Sequence, residues 1–149
     1  LNTMANFYSI GEKKEFNKIV FKALLLIAAF GVLCLLGAYI LGIPVLNILY
    51  SIDISNYKTH LLIIIFGAIS YSMSTLLSAA LTTVRYTFVQ FIVFGISSII
   101  AFFLSRFLIV QYSIYGAALS YLITMTCQFG LYVIIYFVIM KKIDFKEVA

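Results

Sequence analysis

None of the five acidic residues, Glu12, Glu15, Asp53, Asp144 and Glu147, falls within the long apolar stretches that dominate this chain. Those stretches therefore carry no carboxylate for a proton relay or a buried cation site. The only histidine, His60, has no second histidine or carboxylate close by, so it reads as an interfacial residue. No Ser/His, Cys/His or paired-carboxylate arrangement is available, and an enzyme is not expected. Cys34 and Cys127 form no CxxC motif and no His/Cys cluster. They read as small apolar packing residues, and neither a metal nor another cofactor is expected. Charged residues make up only 10% of the sequence, against roughly 25% in soluble proteins. The net charge of +5 comes from cations at the ends of apolar stretches, which argues against nucleic acid as a partner.

What is present is apolar length. Hydrophobic residues make up 64% of the chain, and four stretches stand out: Ile19–Leu41, Leu61–Val84, Phe88–Val110 and Ser113–Met140. At about 1.5 Å rise per residue, each can cross a hydrocarbon core of roughly 30 Å as a helix. Helix is required there because the bilayer core has no water to satisfy backbone N–H and C=O groups. The expected fold is an all-α membrane protein with four transmembrane helices in one domain, residues 19–149, preceded by a polar cytoplasmic linker, Leu1–Lys18. That linker lacks the pattern of a cleavable signal peptide, so the chain is expected to be a piece of a longer protein.

The first stretch needs a boundary, since apolar residues continue almost to Tyr50. Gly42 and Pro44 interrupt it, so the helix is expected to end near Leu41, with Ile43–Tyr50 a short element at the outer interface. Asp53, Ser55 and Asn56 then suit a polar outer loop that starts the next helix. Lys13, Lys14, Lys18, Lys22, Arg85, Lys141, Lys142 and Lys146 fall on the side of the termini, and only Lys58 and Arg106 on the other. Lys and Arg concentrate in cytoplasmic loops, which predicts both termini inside. Phe16, Ile19, Val20 and Ala23 share a helical face opposite Lys14, Lys18 and Lys22, as suits a helix rising from an anionic inner surface.

Within the second stretch, Ser70, Ser74, Ser78 and Thr82 recur every four residues and so share a face. Gly116, Ser120, Thr124 and Gln128 repeat the pattern in the fourth. Two readings remain open: a hydrophilic groove lined by both faces, or close helix packing through small residues. Gln128 is the costliest of these side chains to bury and is expected to point inward. Gly31, Cys34 and Ala38 form a similar small face that reads as packing. Arg85 lies in the short turn after the second stretch. Arg106 lies near the outer end of the third, where it either snorkels to headgroups or acts in function.

Specific residues add a family resemblance. Ala5-Asn6-Phe7-Tyr8 and Gly11-Glu12-Lys13-Lys14-Glu15-Phe16 precede a span, and Gly42-Ile43-Pro44-Val45-Leu46-Asn47-Ile48-Leu49-Tyr50 follows it. Leu81-Thr82-Thr83-Val84-Arg85 closes the next, and Tyr115-Gly116-Ala117-Ala118-Leu119 opens a late helix. In this order they resemble the last third of bacterial O-antigen or capsule polysaccharide flippases, of the multidrug/oligosaccharidyl-lipid/polysaccharide exporter superfamily. The resemblance implies helices nine to twelve of a twelve-helix, two-lobed transporter in the bacterial cytoplasmic membrane, working by alternating access. The implied substrate is an undecaprenyl-diphosphate-linked oligosaccharide, and the implied partners are membrane lipids and a missing N-terminal lobe. Arg85, Arg106, Gln128, Ser74, Ser78 and Thr124 are the residues expected to meet that substrate. The alternatives are a drug exporter of the same superfamily and a small membrane scaffold that transports nothing.

Overall fold

The computed structural model describes residues 2–51 and 53–142, with side chains from residue 4 onward. Leu1, Asp144, Lys146 and Glu147, which entered the expectations above, lie outside the described residues. The described residues form helices joined by short turns, with no strand among them. Three helices are long and apolar enough to cross a membrane: Lys13–Tyr50, Ser55–Thr83 and Phe88–Lys142.

The expected linker is structured. Residues Asn2–Ile10 form α1, and Met4 is buried against Phe16 and Val20 at the foot of the bundle. The helix stops at Gly11, whose φ of 82° is left-handed. There Gly11 N–H bonds to Tyr8 O at 3.2 Å and Glu12 N–H to Phe7 O at 3.0 Å, the paired bonds of a Schellman cap. The chain reverses and starts α2, Lys13–Gly37. Short length and polar neighbours hide α1 in the sequence; apolar contact with other elements holds it.

The first apolar helix does not end near Leu41. A π-helical segment, Ala38–Gly42, carries α2 directly into α3, Ile43–Tyr50, with Pro44 in the first turn of α3. The physical reason is local. Proline removes a donor and crowds the preceding turn, and a π turn widens the helix at that point, so the chain continues past the ring. The helix does end at Ser51, whose φ of 54° is left-handed. A clasp follows: Asn47 Nδ2 donates to Asp53 Oδ1 at 3.4 Å, Ile54 N–H to Asn47 Oδ1 at 2.9 Å, and Ser55 N–H to Asp53 Oδ1 at 3.0 Å. The Ser55 hydroxyl also donates to Asp53. Ser55's hydroxyl, then its amide, hold the exposed Asp53 carboxyl below the usual carboxylate range.

α4 spans Lys58–Thr83 and α5 spans Phe88–Lys142. Helical φ/ψ fail once within α5, at Ser113 (φ 50°, ψ −124°). In a straight helix Ser105 and Ser120 would lie about 22 Å apart, yet their hydroxyls are 3.3 Å apart. The chain therefore doubles back at Ser113, and α5 consists of two antiparallel limbs, 88–112 and 114–142. The crossing is close. A Cβ built on Gly116 would lie 2.0 Å from the Leu108 carbonyl oxygen, so only glycine fits there.

One apolar cluster ties the elements together at the end bearing α1. It joins Met4, Phe16 and Val20 to Leu77 and Leu81 of α4, to Val84 just past its end, and to Val93, Tyr132, Tyr136 and Met140 of α5. The other surfaces of the long helices are apolar and exposed, including Leu26, Phe30 and Leu33 on α2 and Phe91, Phe103 and Phe107 on α5. Exposed apolar area of this extent belongs against lipid or another protein. Cys34 and Cys127 are free and exposed, contrary to their expected packing role.

Candidate functional site

Two features combine polar chemistry with a defined place in the bundle: a polar seam through its interior and a cleft at the α1 end. The seam is built in register. Gly67 of α4 packs on Tyr121 and Leu122 of the second α5 limb, and Ser78 lies beside Tyr132. The same offset brings Ser70 level with Thr124 and Ser74 level with Gln128. The first limb joins from the opposite direction, with Ser105 opposite Ser120 and Gly116 against Leu108 and Ile109. That pairing brings Ala101 level with Thr124 and Ser97 level with Gln128.

Apart from the half-buried Ser105 these polar groups are buried: Ser74 is 0% exposed, Gln128 4%, Thr124 5%, Ser97 5% and Ser78 9%. Hydroxyls on a helix can reach the carbonyl one turn back, and most here do. Ser70 donates to Phe66 O at 3.2 Å, Ser74 to Ser70 O at 2.9 Å and Thr124 to Ser120 O at 2.8 Å. Of the two readings of the stripes, helix packing is the one observed for these side chains. The burial of Ser74, Ser78, Thr124 and Gln128 is at helix contacts rather than on an open groove.

The two arginines stand apart from the seam and from each other. Arg85 is exposed in the turn between α4 and α5, with a left-handed φ of 68°. Its N–H bonds to Thr82 O at 2.9 Å, and Tyr86 N–H bonds to Leu81 O at 3.0 Å. This repeats the cap at Gly11, with arginine where glycine is the usual choice. Gln90 braces the same turn, donating to Ser78 O at 3.3 Å and to the Thr82 hydroxyl. Arg106 is exposed on the first α5 limb, in an open groove of about 750 Å³ with Ser98, Ala101 and Ser105. The six candidate residues thus do not form one site: four lie in the seam and the arginines lie on separate surfaces.

The cleft was not foreseen. It has a volume of about 380 Å³ and lies between α2, α4 and the second α5 limb, lined by Val20, Phe21, Leu24, Leu77, Val133, Phe137 and Met140. Its polar edge is Asn17, whose Oδ1 accepts a 2.7 Å hydrogen bond from the Tyr136 hydroxyl. Lys14 and Lys18 lie within one turn of Asn17, and Lys141 and Lys142 follow Met140; all four are exposed. Lys18 also pairs with Glu15 at 3.4 Å. The cleft is thus an apolar slot whose lining residues Asn17 and Met140 have exposed lysines as near neighbours in sequence.

Sequence reasoning also passed over Ser97, Ser105 and Tyr132. The signal was present, since Ser97, Ala101 and Ser105 recur every four residues and Tyr132 extends the stripe through Gln128 by one more turn. At the opposite end, His60 lies between Tyr57 and Tyr115, with ring centroids at 5.3 and 5.4 Å. Lys58 Nζ there sits 3.7 Å from the centre of the Tyr39 ring. Compared with protein-family models, curated proteins and solved structures, the chain shows no match.

Proposed function

We propose that this chain is part of a polytopic transporter of the bacterial cytoplasmic membrane that moves an undecaprenyl-diphosphate-linked oligosaccharide from the inner to the outer leaflet. On this reading each limb of α5 is a separate crossing, giving four spans with both termini in the cytoplasm. The four spans form part of a twelve-helix, two-lobed bundle, completed by an N-terminal lobe. The chain carries out no catalysis.

The observation that carries the reading is the cleft at the cation-rich end. A lipid-linked diphosphate has an apolar chain and a dense negative charge, and the cleft offers both complements. Its walls are Val20, Leu24, Leu77 and Val133, and the exposed Lys14, Lys18, Lys141 and Lys142 neighbour its lining residues Asn17 and Met140 in sequence. Lysine at an inner interface attracts anionic headgroups by about 1 kcal/mol each. Arg85, exposed at the same end, adds a guanidinium able to grip phosphate bidentately. The resemblance of the Gly42–Tyr50 and Leu81–Arg85 segments to polysaccharide flippases adds independent support. The exposed Arg106 groove, with its small residues, suits a neighbouring helix of the second lobe.

The test replaces Lys14, Lys18, Lys141 and Lys142 together by Gln in the chromosomal gene of the source bacterium. The expected result is a several-fold loss of surface polysaccharide, with lipid-linked oligosaccharide accumulating at the inner leaflet and protein level unchanged. Normal display with the four lysines removed would sink the proposal. Intact display with lost resistance to lipophilic cations would favour the drug-exporter alternative.

A further inference from the structure

The cleft between α2, α4 and the second α5 limb opens on the outer surface of the bundle. The backbone of α2 packs closely on α4 and not on α5, so the two side walls of the cleft stand apart in front of α4. Leu77 of α4, 2% exposed, is its back wall. Phe21 on α2 and Phe137 on the second limb, each 63% exposed, are its lips. Both belong to the apolar surface that the long helices turn to lipid. The lining reaches seven residues along each helix, from Asn17 to Leu24 and from Val133 to Met140, which is about 10 Å. That is roughly a third of a hydrocarbon core of about 30 Å, a depth within reach of a chain anchored in one leaflet.

Two observations narrow the occupant. Membrane helices approach one another over small residues, and no lining residue of the cleft is Gly, Ala, Ser or Thr. The groove at Arg106 differs, with Ser98, Ala101 and Ser105 in its lining. A partner helix suits that groove, whereas bulky walls on three sides suit a thin, flexible hydrocarbon chain. The polar atoms at the edge do not compete with it, since the Tyr136 hydroxyl donates to Asn17. The second observation is charge. Helical phase places Lys14 two turns before Phe21 on the same face, and Lys141 one turn beyond Phe137. Both lysines are exposed, so each lip is continued by a cation at the α1 end, whereas Lys18 is paired with Glu15. An anionic headgroup at that end meets lysine from both sides.

We propose that the slot holds one hydrocarbon chain of an anionic phospholipid, which enters from the bilayer between Phe21 and Phe137 and keeps its phosphate at Lys14 and Lys141. The lipid is a resident of the bundle, filling the space that side chains leave open between α2 and the second limb. This inference rests on the walls and charges of the cleft and does not depend on the transport reading. On that reading, the resident lipid occupies the place that the substrate's chain would take.

The test places the full chain in phosphatidylcholine vesicles with a trace of photoactivatable lipid. The probe carries a diazirine midway along one chain and either a phosphatidylglycerol or a phosphatidylcholine headgroup, and mass spectrometry locates the cross-links. The glycerol probe is expected to label Val20, Leu77 and Val133 several-fold more than the choline probe does. Both should label the exposed Phe103 equally, and neither should label Val93, which is buried outside the slot. Val133→Trp, which fills the slot, should cut labelling of Leu77 several-fold and leave Phe103 unchanged, so a loss of fold would be seen as such. Lys14→Gln with Lys141→Gln should bring the two headgroups level in the slot. Labelling confined to surface residues such as Phe103 overturns the proposal. Equal labelling of the slot by both headgroups in the wild type overturns it too, as does a preference that survives the loss of both lysines. No step of this test reads polysaccharide display, so its result and that of the four-lysine test are independent.

Discussion

On the proposed reading Arg85 carries two separable roles. Its backbone occupies a left-handed cap position, which costs a non-glycine residue about 1–2 kcal/mol. Its side chain is free to meet phosphate. Alanine would remove the charge and keep the strain, whereas glycine removes both. Under the proposed role, Arg85→Gly and Arg85→Ala lower surface polysaccharide alike, and Arg85→Gly raises the melting temperature of the purified chain. Normal polysaccharide with Arg85→Gly would assign this residue to the turn alone. Asp53 is a second single-residue case. Its folded carboxyl titrates below the unfolded value of roughly 3.9, so its contribution is fully present above that value. The contribution is lost as pH falls through the depressed one. The clasp at Asn47, Asp53 and Ser55 should therefore loosen on acidification, seen as faster amide exchange at Ile54 and Ser55. Asp53→Ala should remove that acid dependence; an unchanged profile would show that Asp53 does not hold the clasp.

Between elements, the tightest constraint is the crossing of the two α5 limbs. Because a Cβ on Gly116 meets backbone rather than a movable side chain, Gly116→Ala forces the limbs apart and costs about 3 kcal/mol, the upper end for overpacking. A melting temperature within a degree of wild type would show that the limbs do not meet there. The sequence made some of this legible and hid the rest for physical reasons. Apolar length and the absence of acidic residues marked the long helices, because hydrocarbon admits only satisfied backbone. The spacing of Ser70, Ser74 and Ser78 marked an inward face. It could not tell a groove from a packed seam, since the same hydroxyls serve either and the neighbour decides. The Ser97–Ser105 stripe was hidden among phenylalanines, and the cleft joins Asn17 to Tyr136 across 119 residues, beyond any local pattern. Pro44 misled because proline usually stops a helix, and the π turn that rescues it has no sequence mark of its own.

At the scale of the whole molecule, the proposed reading sets the end of the bundle that bears the cleft against anionic lipid. Single cysteines at Ser55 and Lys142, in a chain with Cys34 and Cys127 replaced, should label differently in intact cells. An impermeant maleimide is expected to reach Ser55→Cys and not Lys142→Cys; the opposite pattern would invert the molecule. The packing also carries a consequence for how the chain comes together. The limbs of α5 meet through partners as close in sequence as Ser105 and Ser120, and such local contacts form quickly. The bond between Asn17 and Tyr136 instead closes a long loop, which carries a larger entropic penalty. The tip of the hairpin, around Ser105 and Ser120, can therefore form before the end of the second limb is made, while the foot of the bundle, where Met4, Phe16 and Tyr136 share one cluster, must wait for that end. The slot exists only once that final docking is complete, so a chain arrested before Val133 has the tip of the hairpin and no slot.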